Sequence, residues 1–421
     1  MGNSKSMKIS LSNQMIIASV AGIAAGLIFG ETMGNIKFLG DIFLRLMQMS
    51  VVFLVMGAII EAVGGLDPKD LGKLGGKTLS LFVIFTLFAS FVGLILAVII
   101  QPGVGVVGVS AAEFTGKLPE GKPLDLIVNF FTKNVFDSMA RGDMLQVIIF
   151  SGFFGLSLSL LKKNESGLAI FNLVKNLNVV IMQIISTVMK VAPIGIFALI
   201  ASITGTAGVS VIVALGKFLI TLTLGCLALF ALLIAIVSTY GKINPLRLIK
   251  KLKRTIIVSI TTTSSAVSLP VQMEDSEERI GISKRVSRLV NPLGMNLNSH
   301  GLAITVAIAS VTVAQFFGTE LSMGQLIMIA IYATLATFAN LAVPGGALVT
   351  MAIAFSMAGL PLEGIAILAG VDWFAGIVRT FLNVVDDVLV ALIVAISEKE
   401  FDRKIFDADE TTGNMSVSES M

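Results

Sequence analysis

The 421 residues predict an all-α polytopic membrane protein, and three observations carry that reading. First, 55% of the residues are hydrophobic and only 14% are charged, with a mean hydropathy of +0.93. Ordinary soluble domains carry about 25% charge, and a soluble chain this apolar would lack the polar surface to cover its core. Second, apolar runs of roughly 20 residues, the length a helix needs to cross a bilayer, recur along the chain. Third, lysine and arginine gather in alternate connections between those runs. The 40 glycines against 10 prolines fit as well, because glycine is commoner in membrane helices than in soluble ones. The single cysteine, Cys226, excludes a disulfide framework and a cysteine-built zinc site, and the single histidine, His300, excludes a multi-histidine metal site. A net charge of +3 is too small to point to nucleic acid.

Six spans are predicted in the first part of the chain: 15–30, 42–66, 79–101, 145–161, 177–206 and 211–240. Lys5 and Lys8 precede the first in the manner of a signal peptide. Hydrophobic spans continue behind it, so it reads as a retained first helix. Lys69, Lys73 and Lys77 follow the second span, Lys162 and Lys163 the fourth, and Lys242, Arg247, Lys250, Lys251, Lys253 and Arg254 the sixth. If each span crosses once, these connections share one side of the plasma membrane, which is then cytoplasmic together with both termini. The stretch 102–143 mixes Glu113, Lys117, Glu120, Lys122 and Asp125 with glycine and proline, as an external loop would. The acidic, serine-rich end after Ser397 reads as a short disordered cytoplasmic tail. The chain is thus expected to divide into spans 1–254, a core 255–397 and a tail 398–421.

Within the core the simple pattern fails. Thr261, Thr262, Thr263, Ser264 and Ser265 form a hydroxyl run in an apolar stretch that ends at Leu269 and Pro270. The run 337–346 (TFANLAVPGG) is a second polar, proline-broken stretch between apolar arms at 326–336 and 347–357. Each is expected to fold as two half-helices meeting at a tip. Non-helical backbone at membrane depth survives only where protein or a watery cavity satisfies it, and paired broken segments point to a transporter's binding site. Between them Asn296, Asn298 and His300 alternate, close to Pro292, Gly294 and Gly301. On an intact helix residues two apart face away from each other. An unwound stretch would let them converge and would offer the hard oxygen ligands a sodium ion needs.

In the last helix Asp372, Gly376, Arg379, Asn383 and Asp387 step by 4, 3, 4 and 4, which lays them along one stripe. A charged residue at a helix centre costs about 2.5–3.5 kcal/mol to insert, so a stripe of three is expected to face a cavity. The arginine fork suits a carboxylate, and an aspartate one turn beyond an asparagine offers oxygens to a monovalent cation. A purely structural alternative pairs Arg379 with Asp372 or Asp386. Asp386 lies about 100° off the stripe and reads as a cap or helix-end charge.

These motifs together are recognisable. The hydroxyl hairpin ending in Ser268, Leu269, Pro270 and Val271, the segment Pro292-Leu293-Gly294 with Asn298 and Gly301, the tip Val343-Pro344-Gly345-Gly346, and Asp372 with Arg379, Thr380, Asn383 and Asp387 resemble the dicarboxylate/amino acid:cation symporter family. That family includes the glutamate transporters, and the resemblance spans essentially the whole chain. It implies eight transmembrane helices, two re-entrant helical hairpins and a homotrimer whose scaffold lies mostly within 1–254. It also implies a transport domain that crosses the bilayer as an elevator. Carried over by position, Arg379 pairs with the substrate's distal carboxylate, Thr380 and Asn383 hold its main carboxylate, and Ser264, Ser265, Val343 and Gly345 close over it. Gly294 (through its carbonyl), Asn298, Asn383 and Asp387 match a sodium site.

Three departures set the expected substrate and coupling. Amino-acid transporters of the family hold the ammonium with an aspartate where this chain has Gly376. An unpaired ammonium would forgo a charge-assisted bond of about 1.5–3 kcal/mol, which argues for succinate, fumarate or malate. The family's aspartate and threonine after the asparagine motif are replaced by His300 and Leu302, and the third helix presents Phe82 and Phe85 with only Thr86 polar. Both changes remove ligands from one further cation site, leaving His300 as the expected proton carrier, since histidine titrates near neutrality. The expected activity is symport of a small dicarboxylate with sodium, without a cofactor. An acidic or neutral amino acid is the alternative on the same fold. An anion channel built on Arg379, or a hydrolase using Ser264 or Ser299 with His300, would not accumulate substrate against a gradient.

Overall fold

The computed structural model describes residues 11–65, 73–106, 131–161, 164–338 and 346–408. Helices dominate, and the described residues contain no strand beyond one isolated antiparallel bridge between Ile282 and Phe401. In chain order the helices are α1 (Leu11–Phe29), α2 (Lys37–Gly65), α3 (Lys73–Ile100), α4 (Val135–Arg141), α5 (Met144–Leu161), α6 (Glu165–Met189), α7 (Ala192–Ala207), α8 (Ser210–Gly241) and α9 (Pro245–Lys251). They continue as α10 (Lys253–Thr262), α11 (Ser265–Glu274), α12 (Lys284–Leu297), α13 (His300–Phe316), α14 (Met323–Phe338), α15 (Gly346–Ala358), α16 (Glu363–Ala369), α17 (Asp372–Ser397) and α18 (Arg403–Asp407).

Six stretches among the described residues are long and apolar enough to cross a membrane: Ile17–Phe43, Leu74–Ile100, Glu165–Met189, Ser210–Gly241, Lys284–Phe316 and Asp372–Ser397. The outer faces of α1, α6 and α8 expose Val20, Ile28, Leu173, Val179, Val213 and Ile220. Water would penalise that surface and lipid does not. The protein is a polytopic membrane protein.

One predicted span is corrected. The run 177–206 is not a single helix: α6 ends at Met189 and α7 starts at Ala192. Pro193 sits in the first turn of α7, where its missing N–H costs nothing, whereas inside a continuous helix it would break a bond.

Packing sorts the helices. The α1 helix lies along α7, and α2 packs on α5, α6 and α7. The α3 and α8 helices instead pack on α13 and α17, so they join the elements after residue 255. At the centre α17 touches α8, α10, α11, α12 and α13.

The segment after Ser397 also departs from expectation, because 398–408 folds back. Glu398 pairs with Lys77 of α3, and Glu400 pairs with Arg285 at 2.6 Å. Phe406 is buried beneath Lys251, whose ammonium donates to the carbonyls of Ile405 at 3.1 Å and Ala408 at 3.2 Å. An acidic composition suggested solvent, but each of these charges has a fixed partner. Residues 409–421 lie outside the described residues.

Candidate functional site

The hydroxyl run becomes a helical hairpin of α10 and α11 packed side by side. Its tip is Thr263, in the left-handed region at φ 51°, followed by Ser264. Ser264 caps α11 by accepting the N–H of Val267 at 3.4 Å, and Ser265 opens that helix half-buried. A β-branched residue in the left-handed region is a strained choice. The arms of the second hairpin, α14 and α15, also pack together. Its tip, with Val343 and Gly345, lies outside the described residues.

Opposite the first tip stands α17. Arg379 Nη1 donates to Asp372 Oδ1 at 3.0 Å, two turns earlier on the same face. A methyl placed on Gly376 would lie 3.5 Å from Arg379 Nη2 and 3.9 Å from Thr263 Cγ2. Gly376 therefore leaves open the space between the guanidinium and the hairpin tip. Thr380 is half-buried next to the arginine.

One turn deeper, the expected cation residues come together. Asn298 Nδ2 donates to Asp387 Oδ1 at 2.7 Å and to the Asn383 carbonyl at 3.1 Å. Asn383 Oδ1 accepts the Gly301 N–H at 2.7 Å. A methyl on Gly294 would sit 2.5 Å from Asp387 Cγ, so α12 reaches the carboxylate only because residue 294 has no side chain. The unwinding is narrower than expected: α12 stays helical through Leu297, and only Asn298 and Ser299 depart before α13 begins. Asn298 Oδ1 takes the His300 N–H at 3.1 Å across that break. The set offers hard oxygens around one buried carboxylate, which suits a small monovalent cation.

Two residues of this cluster escaped the sequence reading and a third was read differently. Gln272 of α11 donates to Asp387 Oδ2 at 3.2 Å and to Asn291 Oδ1 at 3.3 Å. Asn291 in turn donates to Ser276 and Ser287, each at 3.1 Å. The spacing of Ser287, Asn291, Gly294 and Asn298, by 4, 3 and 4, marks one polar face of α12 and could have revealed Asn291. Asp386 is the third. Instead of capping the helix it is fully buried, with Oδ2 3.0 Å from His300 Nδ1. The rings of Phe82 and Phe85 lie 6.3 and 6.1 Å from the imidazole.

The profile of the sodium:dicarboxylate symporter family matches residues 11–397. The chain belongs to that family. It is 33% identical over 410 residues to a proton/sodium-glutamate symport protein of Bacillus caldotenax, covering 94% of this chain and 96% of that one. It is 31% identical over 409 residues to a C4-dicarboxylate transport protein of Anaeromyxobacter sp. (strain K), covering 95% and 92%. A proton/glutamate-aspartate symporter of Escherichia coli (strain K12) is 31% identical over 419 residues, covering 95% of each chain. The family is a transporter family.

Proposed function

We propose that this symporter takes up a small dicarboxylate of the succinate, fumarate or malate type together with sodium. The observation that carries the reading is Arg379 beside Gly376: a guanidinium at the hairpin tip with no carboxylate at 376 to receive an ammonium. Asp372 shares the fork, but it already accepts from Nη1. The name of the Anaeromyxobacter relative supports the same substrate class. An acidic amino acid is the second reading, favoured by the glutamate and aspartate names of the other two relatives.

In this reading Arg379, Thr380 and Asn383, with the tip residues Ser264, Ser265, Val343 and Gly345, bind the substrate. Gly294, Asn298, Asn383 and Asp387 hold sodium, which is cargo rather than cofactor. The fold is eight transmembrane helices with two re-entrant hairpins, assembled as a homotrimer in the plasma membrane with both termini cytoplasmic. Substrate and sodium together close the second hairpin, and an open hairpin blocks the elevator when sodium binds alone. That is coupling by differential contact. A proton at His300 is the second coupling reading, favoured by its carboxylate partner. In that case His300→Gln abolishes the pH dependence of uptake and keeps the sodium dependence; an unchanged pH profile rejects it.

The deciding experiment is uptake of labelled succinate and labelled aspartate, side by side, into liposomes under an inward sodium gradient. Succinate accumulation without aspartate supports the proposal. Aspartate accumulation favours the second reading, and entry of neither rejects both.

A further inference from the structure

Asp386 is a buried acid that neither the substrate set nor the sodium set uses. Its Oδ2 meets His300 Nδ1, and both side chains are 0% exposed. Among the described residues Asp386 Oδ1 and His300 Nε2 have no hydrogen-bond partner, so the Oδ2–Nδ1 contact is the side-chain bond there that orients both groups. Burying a carboxylate away from water is costly, and removing its partner leaves that cost uncompensated.

What the pair holds is the start of α13. A helix begins with unsatisfied N–H groups, which a side chain at the cap usually receives. Ser299 stands at that position and makes no such bond. The start is tied instead by Asn298 Oδ1 on the His300 N–H, by Asn383 Oδ1 on the Gly301 N–H, and by Asp386 on the His300 ring. Two of these three ties come from α17, three residues apart and hence on one face. Asn298 lies inside the knot and presents its amide to Asp387.

We infer that Asp386 is a positioning residue for the cation site: through His300 it fixes the break between α12 and α13 that holds Asn298 against Asp387. The role is geometric and needs no change of protonation. It rests on the sodium assignment proposed above.

The test uses the full-length purified protein. Thermal stabilisation is titrated with sodium chloride against choline chloride at constant ionic strength, and succinate KM is measured at saturating sodium. Asp386→Asn keeps an acceptor for the imidazole N–H and is expected to stay within about threefold of wild type in half-saturating sodium. Asp386→Leu removes it and is expected to need at least about tenfold more sodium, the scale of one lost charge-assisted hydrogen bond. The succinate KM at saturating sodium should be unchanged in both. His300→Phe reads the same bond from the other side, filling the space between Phe82 and Phe85, and serves if the leucine variant does not fold. Wild-type sodium dependence in Asp386→Leu or His300→Phe, or equal impairment in Asp386→Asn, overturns the inference alone. A wild-type protein indifferent to sodium overturns the sodium assignment and this inference with it.

Discussion

Gly294→Ala isolates the proposed cation site without removing any of its polar groups. The added methyl would lie 2.5 Å from Asp387 Cγ and 3.1 Å from Asp387 Cβ. Carbon atoms in contact settle near 3.5 Å, so either the Asp387 carboxylate turns away or α12 and α17 separate, by about 1 Å at this level. The first bond in the path of that movement is Asn298 Nδ2 to Asp387 Oδ1, now 2.7 Å. Stretched by about 1 Å it ceases to be a hydrogen bond, and a bond to a charged group is worth about 1.5–3 kcal/mol. Since 1.4 kcal/mol is tenfold, sodium affinity should fall by about 10- to 150-fold. The assay is succinate uptake into liposomes as a function of sodium, with membrane potential clamped. The half-saturating sodium should rise by that factor, while uptake at very high sodium recovers toward wild type. An unchanged sodium dependence would refute the assignment of Gly294 and Asp387 to one ion site, because the overlap cannot be relieved without moving one of them.

Two further outcomes follow from the same coordinates. Gly376→Asp places a carboxylate where the methyl position is 3.5 Å from Arg379 Nη2; succinate uptake should drop at least about tenfold and aspartate uptake should appear, through a charge-assisted bond to its ammonium. Succinate transport at the wild-type rate in that variant would show that the substrate lies elsewhere. Phe406→Ala empties a position that is 1% exposed beneath Lys251, and should lower stability by about 3–5 kcal/mol, read as a fall in the melting temperature of the purified protein. No change there would mean that the folded-back segment 398–408 does not brace the helices it touches.

How much of this was legible in the sequence differs between the two sites, and the difference is physical. The stripe from Asp372 to Asp387 was readable because one helix carries it, and helical spacing converts positions directly into a face. Gly294, Asn298 and Asn383 were placed by motif resemblance, and the structure joins them through hydrogen bonds. Asp386 was misread because its role depends on a partner 86 residues away on another helix, which no local period encodes. The break ahead of Pro193 was missed for a related reason: hydropathy averages over a window and does not register a lost N–H. The folded-back 398–408 escaped because composition counts charges without seeing their partners, and Lys251, Arg285 and Lys77 all come from earlier in the chain.

The placement of Asn383 carries the strongest argument about coupling. Its carbonyl receives Asn298, a proposed sodium ligand, while its side-chain oxygen receives the N–H of Gly301. Gly301 in turn packs against the backbone of Arg379, so closely that a methyl there would lie 2.6 Å from the Arg379 carbonyl oxygen. Arg379, proposed for the substrate, and Asp387, proposed for the ion, therefore share one strip of α17, nine residues long, and one packed contact with the start of α13. In the proposed reading a cation bound at Asp387 orders this strip, and the substrate then meets an α17 backbone already held in place. Loosening of the Asp387 end of the strip, through Gly294 on α12 or through the neighbouring Asp386, should weaken sodium binding first and reach the substrate only through it. The order in which the two affinities fail is thus a property of the geometry: sodium dependence shifts before substrate KM does.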